Sequence, residues 1–206
     1  MLSSLYGIPQ DWKGENISEY NGGMTPSFYT RTGDDGSTGL LGDARVPKHH
    51  PRMEGIGALD EASAALGLAK SLVQSEKVRE ILLQTQRDMY GVMAEVAATP
   101  ENAAKFRSIN AARVAWLEAQ TDELSALVDM PKGFILPGET PSGGALALAR
   151  TIVRRAERRI ASLLDAGEID NAELLRYLNR LSSLCFVLEL YETQHAGAKN
   201  LSAKKE

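Results

Sequence analysis

The sequence predicts an all-α protein, a bundle of five helices behind an irregular glycine-rich N-terminal loop. Two patterns carry that expectation. Apolar residues recur at three-, four- and seven-residue intervals through five separate segments, and no segment alternates apolar and polar residues long enough to predict a strand. Composition agrees: 206 residues with 43% hydrophobic and only 6% aromatic are enough for one core built mainly from Ala and Leu.

The elements follow in order. Residues 24–51 hold Gly33, Gly36, Gly39 and Gly42 among short polar side chains, and read as irregular. Met53, Ile56, Leu59, Leu66 and Ala69 then mark a first helix. A second is expected over 76–97, with Val78, Ile81, Leu82, Met89, Val92, Met93 and Val96 on one face. Val114, Leu117, Leu124 and Leu127 give a third over 111–127. Pro131, Gly133, Pro137, Gly138 and Pro141 punctuate the chain before a fourth helix over 142–164. Gly167 separates it from a fifth over 171–195, striped by Leu174, Leu178, Leu181 and Leu188. The domain therefore spans 25–195. Residues 1–24 are expected to be a flexible extension, and the small, polar residues 196–206 a flexible tail that frays.

Charge and composition narrow the classes. A net charge of −4 argues against a general nucleic-acid binder. No apolar run approaches the roughly 20 residues that span a bilayer, so no membrane helix is expected. The first 24 residues lack the basic start and apolar stretch of a secretory signal, and the Arg-rich character of an import peptide. The single cysteine, Cys185, lies in an apolar helical run and fits a reducing cytoplasm.

Basic residues are concentrated: Arg154, Arg155, Arg158 and Arg159 fall within six positions. On a helical wheel Arg154 lies roughly 40° and Arg158 roughly 80° from Arg150, with Glu157 about 20° on the other side. Arg155 and Arg159 point away, and Ile152, Val153, Ala156, Ile160 and Leu163 form the apolar stripe. Guanidinium groups along one edge repel, and Glu157 offsets only part of their charge. A polyphosphate is the matching ligand, because guanidinium forks bind phosphate oxygens bidentately. A solvated basic face near a helix C-terminus is the other reading.

Residues 30–38 (Thr-Arg-Thr-Gly-Asp-Asp-Gly-Ser-Thr) have the composition of a phosphate-cradling loop, or of a plain turn. No Lys-Ser/Thr pair follows the second glycine, so it is not a Walker A loop. Tyr29-Thr-Arg-Thr-Gly-Asp-Asp-Gly-Ser-Thr38 is followed by Leu40-Leu-Gly42, Arg45-Val46, Lys48, Pro51-Arg52 and Gly57-Ala-Leu-Asp-Glu61. Phe134-Ile-Leu-Pro-Gly138, Ala149-Arg-Thr151, Arg154-Arg-Ala-Glu-Arg-Arg159 and Tyr177-Leu-Asn-Arg-Leu-Ser182 come later. Taken together, in this order over about 28–191, these blocks resemble the PduO-type ATP:cob(I)alamin adenosyltransferases.

That resemblance implies a homotrimer of five-helix bundles with active sites between subunits. It implies an enzyme that transfers the 5′-deoxyadenosyl group of ATP to cob(I)alamin, releasing triphosphate. ATP would lie on Thr30, Arg31, Thr32, Gly33, Thr38 and Gly39. Lys48, Arg154, Arg155, Glu157, Arg158 and Asn179 would complete its site, with Lys48, Arg154 and Arg158 stabilising the leaving triphosphate. Mg²⁺ would be carried by ATP rather than by protein ligands. Phe134 would lie under the corrin ring, and Arg150 would pair with Asp60 of a neighbouring subunit. A cob(II)alamin reductase and an adenosylcobalamin-dependent enzyme would be partners.

The nucleophile in such a reaction belongs to the corrinoid, so no catalytic Ser, Cys or His is required, and Cys185, His49, His50 and His195 are assigned no chemistry. Glu139, Ala147 and Ser183 depart from the family pattern on the corrinoid side. Two other readings stand beside this one: an ATP-binding helical trimer with a non-corrinoid acceptor, and a non-enzymatic interaction bundle.

Overall fold

A computed structural model of the chain describes residue 29 and residues 31–204; the N-terminal extension to residue 24 and Thr30 lie outside the described residues. Five α-helices form the body: α1 (Pro51–Leu72), α2 (Glu76–Ala97), α3 (Ala111–Ser125), α4 (Pro141–Asp165) and α5 (Ala172–His195). Each begins where a side chain takes up an otherwise unpaired backbone N–H. His50 Nδ1 caps α1 at 3.2 Å ahead of Pro51, and Thr140 Oγ1 caps α4 at 3.0 Å ahead of Pro141. Ser75, Asn110 and Asn171 cap the other three. Gly167 (φ 68°) and Gly197 (φ 73°) close α4 and α5 in the left-handed region, with Glu168 N donating to Leu163 O and Ala198 N to Thr193 O.

The helices pack in the order α2–α1–α4–α5–α3, the α1/α4 and α4/α5 seams being the most extensive. Leu59, Leu66, Leu82, Met89, Leu146, Ile160, Tyr177 and Leu181 fill the shared core. Gly55 lets α1 approach α4 closely; a Cβ there would sit 2.9 Å from Leu163 Cδ1. Buried polar groups tie the bundle across sequence. Asp88 on α2 accepts from Tyr177 Oη at 2.8 Å and from Arg113 Nε at 3.2 Å. Glu192 on α5 accepts from Gln74 N at 2.9 Å and Ser75 N at 3.1 Å, fixing the start of α2.

Short ladders appear where the periodicity predicts no strand. β1 (Ser37–Gly39) and β2 (Arg45–Pro47) form an antiparallel hairpin ahead of α1. β3 (Ile135–Leu136) pairs with β4 (Leu201–Ser202), and Ala203 N donates to Phe134 O at 2.8 Å. Strands of two or three residues are too short for alternation to be legible. The tail expected to fray is thus held at one point beside Phe134, because backbone pairing does not depend on apolar side chains.

The hairpin is docked by Leu41, whose N–H donates to Ala97 O at 2.8 Å and whose carbonyl accepts from Thr99 N at 3.2 Å. Beneath it Arg52 is buried and donates to Val96 O at 3.1 Å, Ala98 O at 2.7 Å and Glu168 Oε2 at 2.8 Å. That guanidinium joins the start of α1, which follows the hairpin, to the end of α2 and the α4–α5 turn.

Candidate active site

The arginine stripe divides between two neighbours. Arg155 and Arg159 face α1, where they pair with Glu61 and, at 3.7 Å, with Glu54. Arg154 and Arg158 face α5, and among the described residues neither makes an ion pair with a carboxylate; Arg158 Nη1 donates to Arg154 O at 3.0 Å. They wall a groove of about 420 Å³ between α4 and α5, together with Glu157, Ala161, Leu175, Arg176, Asn179 and Arg180. Across it Asn179 Nδ2 donates to Glu157 Oε1 and Arg180 Nη1 donates to Asn179 Oδ1, both at 2.8 Å.

Four guanidinium groups against one carboxylate make this groove strongly cationic. Arg176 and Arg180 are partly offset by Glu173 and Glu118 on its rim. Sequence reading stopped at Asn179 and missed these two arginines. Their positions three residues before and one after Asn179 could have flagged them.

Arg150, read from the wheel as sharing the face of Arg154 and Arg158, opens onto a different groove one helical turn, about 6 Å, along α4. This second groove of about 400 Å³ is mainly apolar, with Phe134, Ile135, Pro137 and Phe186 in its lining. Phe134 is 89% exposed, so it is not a core aromatic. Arg150 Nε is buried without a hydrogen-bond partner among the described residues. Glu189, also missed by sequence reading, lies in the same groove at 3% exposure; burial raises its carboxyl pKa, and Arg150 opposes that rise.

The glycine-rich loop forms a third patch. Arg31 (φ 61°) and Gly36 (φ 81°) take left-handed backbone, while Asp34 N donates to Arg31 O and Gly36 N to Gly33 O. Lys48 N donates to Gly36 O at 2.9 Å. The Lys48 ammonium lies 3.2 Å from where a Cβ on Gly33 would stand, so a larger residue there would displace it. Thr38 and Gly39 lie in β1, opposite Val46 and Arg45. Hydrogen bonds of Leu41 to Ala97 and Thr99 tie the hairpin that carries this loop to the C-terminal end of α2, whereas the arginine groove is lined by α4 and α5 alone. Asp60 lies half-buried on α1.

The remaining candidates are accounted for locally. Cys185 is fully buried and its thiol is pushed up to about 12, chiefly by burial, which leaves it inert at neutral pH. His195 stacks on Tyr191 with ring centroids 5.9 Å apart. Among the described residues no cluster of His, Cys, Asp and Glu could hold a metal, and no helix is long and apolar enough to cross a membrane.

Residues 28–192 match the family model for cobalamin adenosyltransferase. The chain belongs to this family. It is 40% identical over 177 residues to the corrinoid adenosyltransferase PduO of Salmonella typhimurium, covering 85% of this chain and 52% of that protein. The chain thus spans about half the length of its PduO relatives, whereas against the corrinoid adenosyltransferase of Mycobacterium bovis, 38% identical, it covers 86%. Among solved structures it is similar to a Phe-to-Ala variant of a PduO-type ATP:corrinoid adenosyltransferase from Lactobacillus reuteri complexed with cobalamin and ATP. That likeness has a TM-score of 0.80 at 31% identity, over 87% of this chain and all of the other. An Arg-to-Lys variant of the same enzyme complexed with ATP gives a TM-score of 0.78 over 85% of this chain. These cobalamin adenosyltransferase relatives share the five-helix architecture described above.

Proposed function

We propose that this chain transfers the 5′-deoxyadenosyl group of ATP to cob(I)alamin, giving adenosylcobalamin and triphosphate. The observation that carries the reading is the pair Arg154 and Arg158, left without carboxylate partners among the described residues in a groove that faces solvent. The reacting electron pair comes from Co(I): it attacks C5′, a Co–C bond forms, the C5′–O bond breaks, and the triphosphate leaves with that bond's electrons. The protein stabilises the leaving group and aligns the carbon. Arg154, Arg158 and Lys48 neutralise the triphosphate, and Mg²⁺ bound to ATP adds to that charge balance. Asn179, Glu157 and the loop with Thr30, Arg31, Thr32, Gly33, Thr38 and Gly39 hold the nucleotide. Arg155, engaged by Glu61, contributes by anchoring α4 to α1. Phe134 presents its ring to the corrin and displaces the lower axial ligand during reduction.

The assembly is a homotrimer with sites between subunits. Exposed Leu68 and Leu72 on α1 and Leu148 on α4 support it. Continuing the antiparallel Glu61–Arg155 contact by seven residues on each helix brings Leu68 opposite Leu148, an apolar strip suited to a second copy. Arg150 Nε, without a hydrogen-bond partner among the described residues, supports an ion pair with Asp60 of the neighbouring subunit. Such an arrangement lets a loop and an arginine groove that lie apart in one chain meet across an interface. A cob(II)alamin reductase supplies Co(I), an adenosylcobalamin-dependent enzyme takes the product, and the setting is cytoplasmic.

The test is an anaerobic assay with chemically reduced cobalamin, ATP and Mg²⁺, following the visible spectrum and triphosphate release. Equal amounts of adenosylcobalamin and triphosphate are expected, with Arg154→Ala losing at least about 100-fold in rate while the assembly survives. ATP binding without turnover would turn the assignment toward a different acceptor.

A further inference from the structure

We propose that Arg45 is a positioning residue that holds the turn of residues 32–37 in its nucleotide-binding shape. The proposal rests on the ATP-binding reading above and adds to it a residue with no direct part in that site. Arg45 stands on β2 opposite Gly39, and its side chain reaches back to the turn. Nη2 donates to Thr32 O at 2.8 Å and to Ser37 Oγ at 2.6 Å, while Nε donates to Ser37 Oγ at 3.1 Å. Thr32 precedes the first glycine and Ser37 follows the second, so one planar fork joins both limbs of the turn.

Ser37 passes the contact on: its hydroxyl and its backbone N–H both donate to Asp35 Oδ1 at 2.8 Å. Those bonds, the backbone one first, hold the Asp35 carboxyl below its ordinary range, so it is ionised at neutral pH and lies 3.9 Å from Arg45 Nη2. Backbone bonds from Asp34 N to Arg31 O, Gly36 N to Gly33 O and Lys48 N to Gly36 O act beside these side-chain ties. The turn's residues are exposed or half-buried, and Arg31 just before it and Gly36 within it take left-handed backbone. Without a packed side chain inside it, its shape rests on polar ties. Gly33, beneath the Lys48 side chain, sits between the two limbs that Arg45 joins.

Lysine distinguishes a strut from a charge, because an ammonium keeps the charge but cannot reproduce the rigid fork. The experiment compares Arg45→Lys, Arg45→Gln and Ser37→Ala with wild type in the anaerobic assay, with ATP binding measured in parallel by calorimetry. Both Arg45 variants are expected to raise the KM and Kd for ATP about tenfold, equivalent to about 1.4 kcal/mol. Their kcat and KM for cobalamin should stay within about twofold, since a misplaced loop weakens ground-state and transition-state binding alike. Ser37→Ala should act in the same direction and add little to Arg45→Gln in the double variant.

Full rescue by lysine would mean that Arg45 acts as a charge on the nucleotide and would overturn the proposal. So would an unchanged ATP KM, or a loss confined to kcat. Failure of the wild-type protein to bind ATP would instead overturn the underlying reading and the proposal with it.

Discussion

Asn179 donates its amide hydrogen to Glu157 Oε1 at 2.8 Å, linking the two helices that wall the arginine groove. With Arg180 on its other atom, Asn179 is oriented from both sides before any ligand arrives. Changing Asn179→Asp removes the donor and sets a second carboxylate at hydrogen-bond distance from Glu157, where like charges repel. Titration calorimetry with ATP should show at least about tenfold weaker binding. Unchanged affinity would remove Asn179 from the nucleotide site.

Phe134→Ala separates a working aromatic from a structural one. Because the ring is 89% exposed, its loss should leave the melting temperature within about 1 °C. ATP affinity should also hold, while formation of adenosylcobalamin from cob(II)alamin and a reductant falls at least about tenfold. A large drop in melting temperature would show that the ring is needed for packing.

Tyr177→Phe makes the opposite case. Its hydroxyl donates to Asp88 at 2.8 Å inside the bundle, where Arg113 and Gln84 remain as further donors. Urea unfolding should show a loss of about 1–2 kcal/mol, with the ATP KM unchanged within about twofold. A kinetic effect without a stability effect would contradict the structural role.

Glu189 gives a pH signature. Burial raises its pKa from the ordinary 4.5, with Arg150 only partly opposing the shift, so the folded protein binds this proton more tightly than the unfolded chain. The corresponding stabilisation is complete below about pH 4.5 and is lost as pH rises through the folded pKa. Glu189→Gln cannot titrate. The melting temperature of wild type relative to this variant should therefore decline as the pH rises above about 4.5. A constant difference across that range would mean the carboxyl is not shifted.

The five helices were legible because their causes are local. Capping side chains such as Ser75 and Thr140, breakers such as Pro141 and Gly167, and apolar spacing all act within a few residues. The bounds of α2 coincide with the expectation of 76–97, α3, α4 and α5 agree within a few residues at each end, and α1 contains the apolar positions that marked it. The two ladders were not legible, since pairing Ile135 with Ser202 depends on where 66 intervening residues bring the chain back.

The sequence by itself determined that Arg154, Arg155, Arg158 and Arg159 lie on one helix, and which of them share a face. Only the tertiary structure decided what each faces. Glu54 and Glu61 on α1 take up Arg159 and Arg155, while α5 offers Arg154 and Arg158 no carboxylate partner and leaves them turned to an open groove. Helical period sets the direction of a side chain on its own axis, but the charge that meets it comes from a helix packed alongside, nearly a hundred residues away in the chain.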